Sequence, residues 1–274
     1  MKSFNLLLLQ LLFFSLSFAQ KEQAMVVSNP LYLGFGLDME GTENLMLVPE
    51  NRSNPESRLI AVHFMKLNAK EKTNFPPVFY FRGGPGEYTN PREFYSYFTR
   101  SKHSDALAFE VKTLNQKRDV VLVSQRGASD SKCFPIFQFK YRYYVGNQYE
   151  AYDFEKIGER KRAALQKTLK EYENLGVDLA GYDIINMIED IEDIRQHLGY
   201  QKIAMVGNSF GSQTALAYLK QYPKQVDRAM LSAVEPVSHT YDDPDERWKL
   251  LKKVEAYALQ DENIKEYLPE IGFL

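Results

Sequence analysis

Cysteine is nearly absent from this 274-residue chain: Cys133 stands alone, so no internal disulfide can form and stability must come from a packed core. Histidine is scarce too, with only His63, His103, His197 and His239 to serve as a base or a metal ligand. No H-E-x-x-H, cysteine cluster or phosphate-binding glycine loop occurs, so no metal and no organic cofactor is implied. Neither sign of charge dominates. With a net charge of -2 and acids and bases interspersed, no basic field invites nucleic acid or anionic lipid. Long apolar runs are missing after residue 20. The one near the start, MKSFNLLLLQLLFFSLSFAQ, has Lys2 ahead of an apolar stretch from Leu6 to Phe18 and small residues at Ser17 and Ala19. It is shorter than the ~20 residues a membrane span needs and is broken by Gln10. That layout predicts a signal peptide over 1–19, cleaved after Ala19, with export to the periplasm or outside the cell and no stable membrane insertion afterwards.

What remains is long enough to bury one sizeable core. LYLGFGL, ENLMLVP and SRLIAVHFMKLNA are short β-rich runs without intervening helices, as one or two antiparallel strands at a sheet margin require. From residue 75 compact apolar runs take over: PPVFYF, RDVVLVS, KIAMV and DRAMLSAV, each suited to a strand buried on both faces of a parallel sheet. Ile184, Met187, Ile188, Ile191, Ile194 and Leu198 recur at helical spacing opposite Glu189, Asp190, Glu192 and Asp193, which predicts an amphipathic helix ending at Gly199. SFGSQTALAYLKQYP predicts a second helix, stopped by Pro223. The alternation makes the fold class α/β, a mostly parallel, doubly wound sheet with helices on both faces. Residues 134–181, with the helical GERKRAALQKTLKEYENLG, break the alternation as an insertion or lid base. The core thus spans 20–242, and 243–274 reads as the start of a helical lid.

Gly207-Asn208-Ser209-Phe210-Gly211 follows the strand KIAMV and opens a helix, the context a G-x-S-x-G nucleophile elbow demands. The serine of an elbow sits on a strained turn that lifts its hydroxyl clear of the sheet, and side chains two residues to either side would collide with strand and helix. Ser209 is therefore the candidate nucleophile. The Phe210 amide, at a helix N-terminus, is placed to hold an oxyanion. The side-chain-free turn Gly83-Gly84-Pro85-Gly86 offers a second donor, assigned to the Gly84 amide.

RGGPG, VLVSQRGASDS, GNSFGS and the following YLKQYPKQVDRAMLSAVEPV together resemble the α/β-hydrolase serine peptidases of the prolyl and tripeptidyl aminopeptidase type, which carry HGGPG, DQRGxGxS and GxSxG in this order. The likeness covers about residues 75–240. It implies an α/β-hydrolase fold and hydrolysis of peptides from the amino terminus, or of related small amides and esters. Arg82 stands where the family has His, and Ser124 and Ser129 where it has Asp and Gly, which puts the substrate range in doubt. Arg126 reads as a tie between loops.

Hydrolases of this fold supply acid and base after the serine, in the order Ser, Asp or Glu, His. Only the forty residues after Val234 remain, and they read as helix. The expectation is accordingly that the chain is the amino-terminal part of a longer hydrolase, with the last strands and the triad acid and base lying beyond it. His63, His103 and His197 read as structural. A shortened triad of Ser209, His239 and Glu235, Asp242 or Asp243 asks a side chain a few residues past a strand end to swing back to the serine. Glu235, at the carboxyl end of a core strand, is the candidate to meet a substrate's free amino group. Two rivals stay open: an esterase or lipase of the same fold, with aromatics of 134–152 lining an acyl site, and a non-catalytic, hydrolase-derived protein.

Overall fold

The computed structural model describes residues 25–34, 38–87, 111–128, 154–237 and 244–261. Residues 1–19, expected to be a signal peptide, lie outside them with Cys133, His103, His239, Asp242 and Asp243, as do the aromatics of 134–152.

Seven strands form one sheet: β1 (Val26–Leu33), β2 (Met39–Pro49), β3 (Leu59–Leu67), β4 (Val78–Phe81), β5 (Val120–Val123), β6 (Ile203–Asn208) and β7 (Val226–Ser232). Helices fully within the described residues include α1 (Phe154–Asn174), α2 (Ile184–His197), α3 (Phe210–Gln221) and α4 (Pro244–Ala258). The strand order is β1-β2-β3-β5-β4-β6-β7. β1, β2, β3 and β5 pair antiparallel, whereas β5, β4, β6 and β7 pair parallel. The antiparallel margin holds three strands where the β-rich runs suggest one or two. α1 falls in the stretch 134–181 expected to be an insertion, and α4 in the tail expected to be helical.

Alternation along the short central strands shows why their sequences are apolar without interruption. Phe79 and Phe81 of β4, Val121 and Val123 of β5 and Met205 of β6 join one buried cluster, which also takes in Ile188, Ile191 and Ile194 of α2 and Ala215 and Tyr218 of α3. Val78 and Tyr80, Val120 and Leu122, and Ala204 and Val206 point the other way, into a second cluster with Val111 and Leu33. Both faces are covered, so every position must be apolar. β7 departs from its expected burial. Among the described residues it pairs with β6 alone, at the end of the sheet, and Met230 is 58% exposed.

Helix ends follow local chemistry. Asp183 caps α2 by accepting a bond from the Asn186 amide, and Gly199, at φ 74°, supplies the left-handed turn after it. Pro223 stands just past α3. Among the described residues no helix is long and apolar enough to cross a membrane.

Candidate active site

Strand order decides where a site can form. β4 leads on to β5 on one side, while β6 pairs with its other side, so the chain reverses direction of travel at β4. A crevice opens outside the carboxyl ends of strands at such a switch point. Four segments converge there: the Arg82–Gly86 turn after β4, Ser124 and Gln125 after β5, Ser209 after β6 and Glu235 after β7.

Ser209 has φ 54° and ψ −127°, a conformation that costs a non-glycine residue of order 1–3 kcal/mol. Close packing forces it. A Cβ on Gly207 would lie 2.5 Å from the Gly211 carbonyl oxygen, and one on Gly211 would lie 2.1 Å from that of Phe81. Only glycine at both places lets β6 turn this tightly into α3 while α3 lies on β4. The bend is also hydrogen-bonded. The Ser209 amide donates to the Ser232 carbonyl (3.1 Å), and the Ser212 amide (2.7 Å) and hydroxyl (2.6 Å) both donate to the Ser209 carbonyl.

Three groups meet at the serine. The helix α3 begins at Phe210, so its amide stands at the positive end of the helix dipole, next to Ser209. The glycine turn lies alongside: a Cβ on Gly83 would be 3.3 Å from Ser209 Cβ and 3.7 Å from its Oγ. Gly84, the assigned second donor, is the next residue in that turn, at φ 107°. Glu235 comes closest. The Ser209 hydroxyl donates to Glu235 Oε1 at 2.7 Å, so this carboxylate is a direct partner of the serine.

What brings Glu235 there was not legible in the sequence. β7 ends at Ser232, and Ala233 follows in the left-handed region at φ 46°. The Glu235 amide then donates to Ser212 Oγ (2.8 Å), and Gln213 Nε2 donates to the Pro236 carbonyl (2.9 Å). Two polar side chains in the first turn of α3 thus fasten the segment after β7 beside the serine. The one available signal was the second serine of GNSFGS, three residues into the helix, where a side chain can reach backbone on either side of the elbow.

The other sequence candidates separate cleanly. His63, in β3, is buried, with Nδ1 3.0 Å from Ser124 Oγ and Nε2 3.0 Å from Glu43 Oε1. Ser124, standing where the resembled family has Asp, thereby bonds His63. His197 lies in the last turn of α2, exposed. Among the described residues no histidine is hydrogen-bonded to Ser209. Arg126 ties loops together: its guanidinium grips Asp190 through Nε (2.8 Å) and Nη2 (2.6 Å), while Nη1 donates to the Glu50 and Gly181 carbonyls, both at 2.6 Å. Arg82 pairs with Glu87 at 3.1 Å. No group of three or more potential metal ligands occurs among the described residues.

A parallel sheet with a switch-point crevice and a serine elbow between strand and helix define the class of protein. The family model described as alpha/beta hydrolase fold matches residues 76–266, and the chain belongs to that family. Among solved structures, a proline iminopeptidase-related protein from Thermus thermophilus is 17% identical, with 69% of this chain and 44% of that one covered and a TM-score of 0.38. An esterase from Exiguobacterium antarcticum is 14% identical, with 76% and 55% covered and a TM-score of 0.39. These likenesses concern the fold alone. The chain spans about half the length of the solved structures it matches. No curated protein matches it.

Proposed function

We propose that this α/β hydrolase is a serine peptidase that removes residues from the amino terminus of peptides, and acts on related small amides and esters. Ser209 attacks the scissile carbonyl as its hydroxyl proton passes to a general base, which returns it to the departing amine when the C–N bond breaks. No histidine among the described residues is bonded to Ser209 for that role. The Phe210 and Gly84 amides stabilise the oxyanion that forms. Such preorganised donors contribute roughly 2.7–4 kcal/mol each to barrier lowering. Glu235 receives the substrate's free amino group through the carboxylate oxygen not bonded to Ser209.

The observation that carries this reading is the 2.7 Å bond between Ser209 Oγ and Glu235 Oε1. In a peptide, the amino nitrogen is about 2.5 Å from the carbonyl carbon of its own residue, and each further residue adds ~3.3–3.6 Å. A carboxylate this close to the attacking oxygen can grip an amine on the residue being cleaved off, but not one two residues further back. The geometry therefore favours release of single residues over tripeptides. An acidic group there also rejects substrates whose amine is acylated, because the carboxylate would be left facing an uncharged amide. The charge and apolar pattern of residues 1–19 supports placing this activity in an exported protein.

The test is labelling of Ser209 by a fluorophosphonate probe, with aminoacyl amides as competitors. A free-amine compound should protect the serine at least about tenfold better than its N-acetyl counterpart, and Glu235→Gln should erase that preference. Equal protection by both compounds sinks the role of Glu235. Absence of labelling sinks the serine hydrolase.

A further inference from the structure

We propose that Gln125 is a positioning residue that sets the Gly83–Gly86 turn against Ser209 and so fixes the second oxyanion donor. The inference rests on the proposed serine chemistry, but the contacts behind it are independent of it. Gln125 follows β5, whose parallel pairing with β4 brings the ends of the two strands side by side. Its side chain is buried, at 7% exposure. Oε1 accepts from the Gly86 amide at 2.6 Å, and Nε2 donates to the Gly83 carbonyl at 2.8 Å and the Arg82 carbonyl at 3.3 Å.

Residues 83–86 are three glycines and a proline, and positions 84–86 are exposed. A stretch of this composition has almost no side-chain surface to bury, so packing cannot hold it in one conformation. Backbone bonds must do so, and Gln125 makes three of them across the turn. The chemistry is specific. One amide needs an acceptor and two carbonyls need a donor, and a carboxamide supplies both from a single planar group. Glutamate would offer only acceptors and lysine only donors. A Cβ on Gly83 would lie only 3.3 Å from Ser209 Cβ, so the turn has little room to move closer to the serine. Withdrawal is limited by the Gln125 bonds. The Gly86 amide, committed to Gln125, is thereby removed from the candidate oxyanion donors, while Gly84 remains one.

The test compares the full chain with Gln125→Met, which loses all three bonds at similar volume, and Gln125→Glu, which keeps the acceptor for Gly86. Two readouts are taken: the fluorophosphonate labelling rate of Ser209 per folded molecule, and amide hydrogen exchange at residues 83–86 and at Val121. Gln125→Met should slow labelling by about ten- to a hundredfold, the range for a catalytic group displaced by about 1 Å. It should speed exchange at Gly86 by tenfold or more while Val121 stays protected, with Gln125→Glu intermediate in labelling. Labelling within twofold of wild type together with unchanged exchange at Gly86 overturns the proposal. If the wild-type chain does not label, the nucleophile reading falls, and exchange at Gly86 alone decides for or against Gln125. Should Gln125→Met fail to fold, the Gln125→Glu rate decides instead: slowed labelling supports the positioning role, and a rate within twofold of wild type overturns it.

Discussion

Two polar clusters lie at the carboxyl ends of the strands, and they are built on opposite plans. Around Arg126 the two acids are buried and each is shared by several donors. Asp190 and Glu50 are each 1% exposed. Asp190 takes Arg126 through both oxygens and also Arg52 at 2.6 Å, and Arg52 reaches on to Asp193 at 2.9 Å. Glu50 accepts from Arg58 (2.6 and 2.8 Å), Tyr182 (2.6 Å) and the Asp178 amide (3.0 Å). Around Ser209 the backbone is strained, the serine and Glu235 are only half-buried, and among the described residues Ser209 is the side-chain hydrogen-bond partner of the Glu235 carboxylate. A cluster whose buried acids are bonded through both oxygens serves to hold the fold together. One with capacity in reserve, held in place by strain that the surrounding packing supports, can bind and react.

Breaking the first cluster should have the largest effect on stability. Arg126→Met strips Asp190 of its bidentate partner and leaves the Gly181 and Glu50 carbonyls without that donor. Loss of one partner in a buried pair costs about 3–5 kcal/mol. Denaturant unfolding should show a loss of that size, and a change under about 1 kcal/mol would remove the distinction between holding and reacting clusters.

Acid should sharpen the contrast next. Burial alone would raise the Glu50 carboxyl pKa, but bonds from Arg58, Tyr182 and the Asp178 amide outweigh it and hold the group below its ordinary 4.5. Glu192 is lowered in the same way, burial being outweighed by Arg195, Gln196 and Tyr218. A depressed folded-state value means the unfolded chain binds the proton more tightly. The stabilisation is therefore complete above the ordinary carboxylate range and lost as pH falls through 4.5 and below it. Urea midpoints measured from about pH 7 down to about pH 3 should fall steeply over the lower part of that range, and Glu50→Gln should flatten the fall.

The smallest expected effect isolates the strain at the elbow. Ser209→Gly and Ser209→Ala both delete the hydroxyl and its bond to Glu235, but only glycine relieves the positive φ. The glycine variant should be more stable than the alanine variant by about 1 kcal/mol, since part of the relief is offset by glycine's extra chain entropy. Equal thermal stability would mean that the bend is not strained.

Much of the fold was legible residue by residue. The uninterrupted apolar runs of β4, β5 and β6, the helical stripe of α2 and its Gly199 stop, and the glycines around Ser209 all answer to constraints acting within about ten residues: strand and helix periodicity, helix termination and steric contact at a tight turn. Those constraints determined that the chain is an α/β protein with a serine on a sharp bend.

Only the tertiary structure decided which groups meet that serine and which are consumed in holding the molecule. Ser209 and Glu235 are 26 positions apart, Gly86 and Gln125 are 39, and Arg52 and Asp190 are 138. The first two pairings follow from the strand order β5-β4-β6-β7, which places distant chain ends side by side. The same order leaves β7 at the margin of the described sheet, where Met230 is 58% exposed. Neither spacing nor residue type encodes that adjacency, because a hydrogen bond across the sheet depends on where strands come to lie, a property of the whole chain's packing.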